Sequence, residues 1–284
     1  MRSLYRKPFP WYGFVALLLC VLAWTGSWLH LEPFSGYLFF PLWLGYIFFM
    51  DALVVMRHGT SLLMRMRWRY VFLFITSSIF WWIFEWFNSA IQNWHYIVDH
   101  PYTPFMFIVL ASINFSTVLP AVLETTEFLF TFKTRRLELS PYDPGARLPL
   151  PSFIILELIG IACFILPWVY PHYCFPLVWF SLTFLLDPLN NYFGRKSVFA
   201  HIAAQNWSFM ILPFGALFCG FFWEMWNYFS LPKWYYTVPY INFWKVFEMP
   251  LLGYLGYLPF ALELFALYQF ILWLTWQKED FLLI

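Results

Sequence analysis

The sequence has few charged residues. Only 11% of its 284 residues are Asp, Glu, Lys or Arg, whereas 62% are hydrophobic and the mean hydropathy is +0.65. In soluble globular domains, roughly a quarter of the residues are charged. This composition excludes water as the main solvent of the chain and predicts an integral membrane protein.

The sequence also lacks the spacings that metal, nucleotide and hydrolytic sites require. None of its six histidines belongs to an H-x-x-x-H or E-x-x-H pattern, and its four cysteines stand apart in apolar surroundings. We interpret the cysteines as buried thiols. There is no glycine-rich phosphate loop, no serine elbow and no basic tail for nucleic acid. We therefore expect no metal, no cofactor and no nucleic-acid partner.

Long apolar windows are abundant instead. Eight windows have roughly the length that spans a bilayer, at about 10–29, 37–56, 70–90, 105–132, 153–171, 175–190, 206–229 and 246–276. They predict eight transmembrane helices, of which the sixth is short and ends at Asp187-Pro188. We interpret the first window as an uncleaved helix rather than a signal peptide, because no small-residue cleavage site follows it.

The positive charges are sorted between alternate connections. Fourteen of the sixteen Lys and Arg residues lie at the two ends of the chain or after the second, fourth and sixth windows, and only Lys233 and Lys245 lie on the other side. Positively charged loops stay in the cytoplasm. The pattern predicts a multi-pass protein with both termini in the cytoplasm.

The second half of the sequence repeats the first, with acids at matched positions. Three carboxylate pairs recur at offsets of 136 or 139 residues, namely Asp51 and Asp187, Glu85 and Glu224, and Glu124 and Glu263. Four helices per repeat is an even number, so both repeats enter the membrane in the same orientation. The predicted fold is all-α and polytopic. Its eight transmembrane helices form two parallel four-helix repeats, residues 1–140 and 141–284, about a pseudo-two-fold axis along the membrane normal.

The matched acids have almost no Lys or Arg to pair with inside the apolar windows. An acid at the bilayer centre costs roughly 2.5–3.5 kcal/mol on insertion scales and marks a functional site. A neutral carboxylic acid in a dry pocket is a proton donor, so we predict four catalytic residues, Glu85, Glu224, Glu124 and Glu263. A buried polar network that fixes helix register is the alternative. For Asp51 and Asp187 the alternative is that they cap helix ends and hold the adjacent Arg57 or Arg195.

Amide and aromatic side chains surround these acids in the sequence. Asn88 and Asn227 follow Glu85 and Glu224 by three residues, and we predict that their amides donate to the carboxylates. Aromatic faces stabilise cations, which suits a carbocation reaction as well as the binding of a flat isoprenoid. The predicted substrate-binding residues are Asn88, Asn227, Trp94, Tyr96, Trp223, Trp234, Tyr236, Asp51 and Asp187.

The order of these residues resembles the lycopene cyclase domain family, a membrane domain that occurs twice. The pattern is an Asp near a basic turn, an aromatic–acid pair, an aromatic loop and a Pro with a following Glu. In the first half these are Asp51, Phe84-Glu85, Trp94/Tyr96 and Pro120/Glu124. In the second half they are Asp187, Trp223-Glu224, Trp234/Tyr236 and Pro259/Glu263. It covers about residues 38–130 and 173–270. This chain departs from the family's Trp-Asp pair and from its Pro-x-Glu-Glu. The resemblance implies protonation of an isoprenoid alkene, ring closure and deprotonation, without nucleotide or metal.

The leading hypothesis is therefore a membrane-embedded, redox-neutral cyclase or isomerase that acts on a carotenoid or another isoprenoid. Its expected partners are a hydrophobic isoprenoid or lipid ligand and the membrane lipids, and a homo-oligomer is left open. Two alternatives remain. One is a non-catalytic pigment-, quinone- or lipid-binding membrane subunit, and the other is a proton-coupled transporter of a lipophilic substrate.

Overall fold

The computed structural model describes residues 7–98, 101–132, 147–275 and 280–282. Most of these residues are helical. The α-helices are α1 (Trp11–Trp28), α2 (Phe39–His58), α3 (Leu62–Met66), α4 (Val71–Ile91), α5 (Pro104–Phe115), α6 (Val118–Phe130), α7 (Leu150–Val169), α8 (Pro171–Cys174), α9 (Val178–Tyr192), α10 (Val198–Ala203), α11 (Ile211–Tyr228) and α12 (Tyr257–Leu274). The strands are β1 (Trp94–Ile97), β2 (Lys233–Tyr236), β3 (Lys245–Val246) and β4 (Met249–Pro250).

Six helical stretches of the described chain are long and apolar enough to cross a membrane, so the protein is a multi-pass, mainly helical membrane protein. They are Trp11–Trp28, Phe39–His58, Leu62–Ile91, Pro104–Phe130, Leu150–Val169 and Leu251–Leu274. The predicted sixth and seventh windows correspond to α9 and α11, which are not among them. Helix α9 has only 15 residues, and α11 carries Glu224 and Asn227 near its end. The count of eight therefore remains a prediction.

Local hydrogen bonds explain where several of these helices begin and end. The hydroxyl oxygen of Ser61 accepts from the Met64 amide at the start of α3, and that of Ser197 accepts from the Ala200 amide at the start of α10. Such side chains satisfy amides that have no partner inside the helix. Gly59, with φ of 85°, ends α2 in the left-handed conformation that glycine adopts without strain.

Small residues let the long helices approach one another closely. Helix α1 packs on α2, and α7 packs on α9. A Cβ atom at Gly45 of α2 would lie 2.7 Å from the backbone oxygen of Ala16 and from the backbone nitrogen of Cys20 in α1. At Gly160 of α7, a Cβ atom would lie 2.9 Å from the backbone nitrogen of Leu185 in α9. Close backbone approach at small residues is typical of helix packing in membranes.

A short β-ladder, which the sequence did not predict, joins the two halves of the chain. Strand β1 pairs antiparallel with β2, with Trp94 opposite Tyr236, His95 opposite Tyr235, Tyr96 opposite Trp234 and Ile97 opposite Lys233. The Thr237 amide donates to the Asn93 carbonyl at 2.9 Å and extends the ladder. The ladder thus places the aromatic loops of both halves side by side.

We expect Gly45→Ala to destabilise the protein although alanine is the better helix former. The added methyl group would press on α1 backbone, which cannot move aside cheaply, and overpacking of this kind costs about 1–3 kcal/mol. Thermal unfolding in mild detergent measures the effect. Gly256→Ala is the matched control, since its nearest contacts would be at 3.8 Å. Equal melting temperatures for the two variants would show that the contact between α1 and α2 is not tight.

Candidate functional site

An aromatic cavity of about 460 Å³ lies between the two halves of the chain. Its wall includes residues of both strands of the ladder, of α4 and α9, and of the segment that leads into α12. The lining contains five tryptophans, three tyrosines and five phenylalanines, namely Trp81, Trp94, Trp179, Trp223, Trp234, Tyr96, Tyr236, Tyr257, Phe39, Phe115, Phe175, Phe180 and Phe260. The other lining side chains include Asn93, Asn114 and Lys233. The cavity therefore suits a largely apolar ligand.

Three aromatic donors converge on Glu85 at one side of this cavity. The indole N–H groups of Trp81 and Trp94 each donate to Oε1 of Glu85 at 3.0 Å, and the Tyr96 hydroxyl donates to the same atom at 2.5 Å. Trp81 reaches Glu85 because the two residues stand four apart on α4. Trp94 and Tyr96 reach it together because alternate residues of a strand face the same side. All three donors line the cavity, and Glu85 lies behind them.

A second network holds Glu224 on the other side. The hydroxyl groups of Tyr236 and Tyr257 donate to Oε1 of Glu224 at 2.7 and 2.9 Å, and the indole of Trp234 donates to the Tyr236 oxygen at 2.8 Å. Glu224 is fully buried, and its Oε2 atom has no hydrogen-bond partner. Both tyrosines line the cavity. Each glutamate is thus separated from the cavity by one layer of aromatic donors.

The two strand tyrosines lie outside the membrane-spanning helices, and both hydroxyls are held in the neutral form. Burial, followed by the neighbouring carboxyl of Glu85, raises the pKa of Tyr96 well above its usual range. Burial and the carboxyl of Glu224 raise the pKa of Tyr236 in the same way. A neutral phenol can both donate and accept a proton. Each hydroxyl can therefore connect the carboxyl behind it with a ligand in front of it.

The donor sets of the two glutamates differ at one matched position. Residue Trp81 of the first half corresponds to Gly220 of the second, four residues before each glutamate. A Cβ atom at Gly220 would lie 2.4 Å from the ring of Tyr257. Glycine therefore makes room for Tyr257, which supplies the hydrogen bond that Trp81 supplies to Glu85. The sequence analysis missed Tyr257, and the signal for it was the glycine opposite a tryptophan.

The predicted role of the two asparagines is wrong. Their amides do not donate to the glutamates but hold the backbone of the strands. The Asn88 amide donates to the Trp94 carbonyl at 2.8 Å, and the Asn227 amide donates to the Trp234 carbonyl at 2.7 Å. In return, Oδ1 of each asparagine accepts from the backbone amide of the same tryptophan. Each asparagine bonds both the amide and the carbonyl of one strand residue, so its side chain serves to hold the strand.

The matched aspartates cap short helices, which agrees with the capping part of the alternative. Arg57 donates to Thr131 instead of to Asp51. Asp187 is fully buried and accepts from the Ser197 hydroxyl at 2.6 Å and from the amides of Val198 and Phe199 at 2.8 and 2.9 Å. These three donors stand at the start of α10. Asp51 accepts at the start of α3, from the Leu63 amide at 3.3 Å. Neither aspartate belongs to the lining of the cavity.

Glu124 and Glu263 are fully buried but do not line the cavity either. Glu124 accepts from the Tyr70 hydroxyl at 2.8 Å and lies close enough to Asp51 to interact electrostatically. Glu263 accepts from the Leu182 amide of α9 at 2.9 Å. The two glutamates therefore have different surroundings, and the structure does not bring them together at the cavity.

The five aromatic residues predicted to bind the substrate, Trp94, Tyr96, Trp223, Trp234 and Tyr236, all line the cavity. Lining residues that the sequence analysis did not single out include Trp81, Trp179, Phe260 and Asn93. Within the part of the chain that the structure describes, no group of three or more His, Cys, Asp or Glu side chains is arranged to hold a metal ion.

We expect Tyr236→Phe to lower the stability of the protein. The change removes one donor from buried Glu224 and the acceptor of the Trp234 indole, and an unsatisfied buried polar group costs about 1–3 kcal/mol. Tyr235→Phe is the matched control, because Tyr235 stacks on His95 with ring centroids 5.2 Å apart and this contact needs no hydroxyl. Thermal unfolding of both variants in detergent measures the difference. A melting temperature of Tyr236→Phe as high as that of the control would contradict the network.

Comparison with protein-family models, with curated proteins and with solved structures found no match. The cavity and the two hydrogen-bond networks are therefore the features from which the function of the chain is inferred.

Proposed function

We propose that the chain consists of two four-helix repeats, with α9 and α11 as the two further membrane-crossing helices. The matched capping of α3 and α10 and the matched bonds of Asn88 and Asn227 support this architecture. The β-ladder supports it too. Each of its strands corresponds to the other at an offset of 140 residues, so the pair Trp94–Tyr236 is equivalent to the pair Tyr96–Trp234. The pseudo-two-fold axis would pass between His95 and Tyr235, along the membrane normal.

Both termini lie in the cytoplasm in this proposal, because fourteen of the sixteen basic residues lie in the chain ends and connections that would share that side. The ladder and the cavity then belong to the outer half of the membrane. A ligand dissolved in the lipid could reach the cavity without passing through water.

The proposed reaction is a redox-neutral cyclisation or isomerisation of a carotenoid or another isoprenoid. The observation that carries it is the aromatic cavity whose wall presents hydroxyl groups backed by Glu224 on one side and by Glu85 on the other. A terminal alkene in this cavity would meet a proton source, a proton acceptor and aromatic faces between them. The resemblance to the lycopene cyclase domain family agrees with this chemistry.

The proton path runs through tyrosine hydroxyls. Tyr236 or Tyr257 first turns its O–H from the Glu224 carboxyl towards the cavity. The O–H proton then forms the new C–H bond with the alkene, while the tyrosine oxygen takes the proton of the Glu224 carboxylic acid. The resulting carbocation lies among aromatic faces, each of which stabilises a cation by about 0.5–2 kcal/mol. A second alkene closes the ring with its π electrons. Loss of a C–H proton to Tyr96, whose own proton passes to Glu85, restores an alkene, so no electrons are gained or lost.

A non-catalytic binder of a pigment, quinone or lipid is the second candidate. One observation favours it, namely that no glutamate of the described ranges belongs to the cavity lining, so that Glu85 and Glu224 can act only through tyrosine or tryptophan. In that case the carboxyls serve to orient the aromatic wall. The ligand would then leave the protein chemically unaltered.

We expect Glu85→Gln and Glu224→Gln to abolish product formation in a carotenoid-producing host while the purified variants still bind the isoprenoid. General acid–base catalysis contributes about 10²–10⁴-fold to a rate, so the product should become undetectable. Chromatography of the extracted carotenoids and mass spectrometry of co-purified lipids measure the two effects. Glu157→Gln, a half-exposed acid of α7 outside the site, is the control and should keep wild-type product.

The same host separates the two candidate functions. Glu124→Gln and Glu263→Gln alter acids away from the cavity, so we expect them to affect stability more than product. Unchanged product in all four glutamate variants would exclude catalysis by these residues. An isoprenoid that co-purifies unaltered with those variants and with the wild type would then favour the binder.

A further inference from the structure

One buried polar atom in the cavity wall has no hydrogen-bond partner among the residues that the structure describes. Asn93 is only 4% exposed, it lines the cavity, and its side-chain oxygen forms no hydrogen bond. Buried polar groups are nearly always hydrogen-bonded, and one that is not calls for an explanation such as a ligand. Because this atom is the carboxamide oxygen, an acceptor, it can bind a hydroxyl group that donates its proton to it.

The position of Asn93 is fixed by its backbone rather than by its side chain. Its amide donates to the side chain of Asn88 at 2.9 Å, and its carbonyl accepts from Thr237 of the other half at 2.9 Å. The side chain is therefore held at the end of the ladder without forming part of it. This fixed position beside the aromatic wall is suited to recognise one end of a ligand.

The charge of the cavity wall limits which chemical group the ligand can carry at the end near Asn93. Lys233 is the one charged side chain among the described residues of the lining, and it matches Asn93 at the repeat offset of 140 residues. Its ammonium group forms an ion pair with Glu248 and donates to the Tyr228 carbonyl at 3.2 Å. The positive charge is thus already neutralised. Among the described residues of this wall, a phosphate or diphosphate group would find no free cation.

We propose that the cavity binds an isoprenoid with a neutral hydroxyl end, and that Asn93 is the residue that recognises the hydroxyl group. This inference rests on the proposed isoprenoid site and narrows its ligand class. The apolar chain of the ligand lies against the tryptophan and phenylalanine side chains of the wall, and the hydroxyl group lies at the ladder. A pure hydrocarbon fills the same volume but leaves the Asn93 carboxamide unsatisfied.

Binding to the full-length protein in lipid nanodiscs tests the proposal, with quenching of tryptophan fluorescence as the readout. The three probes are geranylgeraniol, geranylgeranyl diphosphate and the hydrocarbon that has hydrogen in place of the hydroxyl group. We expect wild-type protein to bind the alcohol about tenfold more tightly than the hydrocarbon, which is the worth of one hydrogen bond to a buried group. The diphosphate should bind more weakly than the alcohol.

Asn93→Leu should remove this preference by weakening the binding of the alcohol and leaving that of the hydrocarbon unchanged or tighter. Asn114→Leu is the comparison, because Asn114 is a second, half-buried amide of the lining. If Asn93→Leu does not fold, the relative affinities of the wild-type protein for the three probes still test whether the cavity prefers a neutral hydroxyl end.

Three results would overturn the proposal. They are equal binding of alcohol and hydrocarbon by the wild type, tightest binding of the diphosphate, and a preference that is lost in Asn114→Leu but kept in Asn93→Leu. Each of them leaves the isoprenoid site itself in place. Failure of all three probes to bind would instead overturn the proposed function together with this inference.

Discussion

A carboxyl group removed from water needs hydrogen-bond donors, and in this protein aromatic side chains supply them to fully buried Glu224 and half-buried Glu85. Leaving such a group without partners costs several kcal/mol. The donors to Glu85 are two indoles and a phenol, and the donors to Glu224 are two phenols. Because each N–H or O–H bond also fixes its ring, the two acids determine how the aromatic wall is arranged. The shape of the cavity thus depends on two groups that do not line it.

The β-ladder connects the hydrogen-bond network of Glu85 in one half of the chain with that of Glu224 in the other. Asn88 and Asn227 tie each strand to the helix that carries the glutamate, and the pairing of β1 with β2 ties the two strands to each other. A shift of one half would therefore move the aromatic donors of the other. Together, the glutamates, asparagines and strands form one continuous hydrogen-bonded unit, in which satisfied polar groups strengthen one another.

The sequence predicted which residues belong to this unit better than it predicted their contacts. Hydropathy identified the six long apolar helical stretches, and the matched offsets identified Glu85, Glu224 and the aromatic loops, because both signals are local or repetitive. The contacts of Asn88 could not be predicted, since they depend on whether the carboxyl or the strand backbone lies within reach of its amide. Tyr257 was missed because it approaches Glu224 from 33 residues further along the chain, into space that only a glycine at position 220 leaves open. The sequence also did not predict that the matched acids have different kinds of hydrogen-bond donors, because these donors come from distant parts of the chain. Asp187 and Glu263 meet backbone amides, whereas Glu85 and Glu224 meet aromatic donors.

The aromatic donors raise the question why positions 85 and 224 carry glutamate and not glutamine. A glutamine at position 224 would accept the hydroxyls of Tyr236 and Tyr257 through its carbonyl oxygen as well as the carboxyl does, and an uncharged amide is cheaper to bury than an ionisable group. The two asparagines of the same unit show that amides suffice where only positioning is needed. Glu224 instead keeps a second oxygen buried without a partner, as Glu124 and Glu263 do, but of these three only Glu224 accepts from hydroxyl groups that line the cavity. Groups that break the rule of polar satisfaction in a well-packed region are the ones for which a functional reason is expected. A carboxyl behind a tyrosine hydroxyl has such a reason, because it can hold or release a proton and an amide cannot.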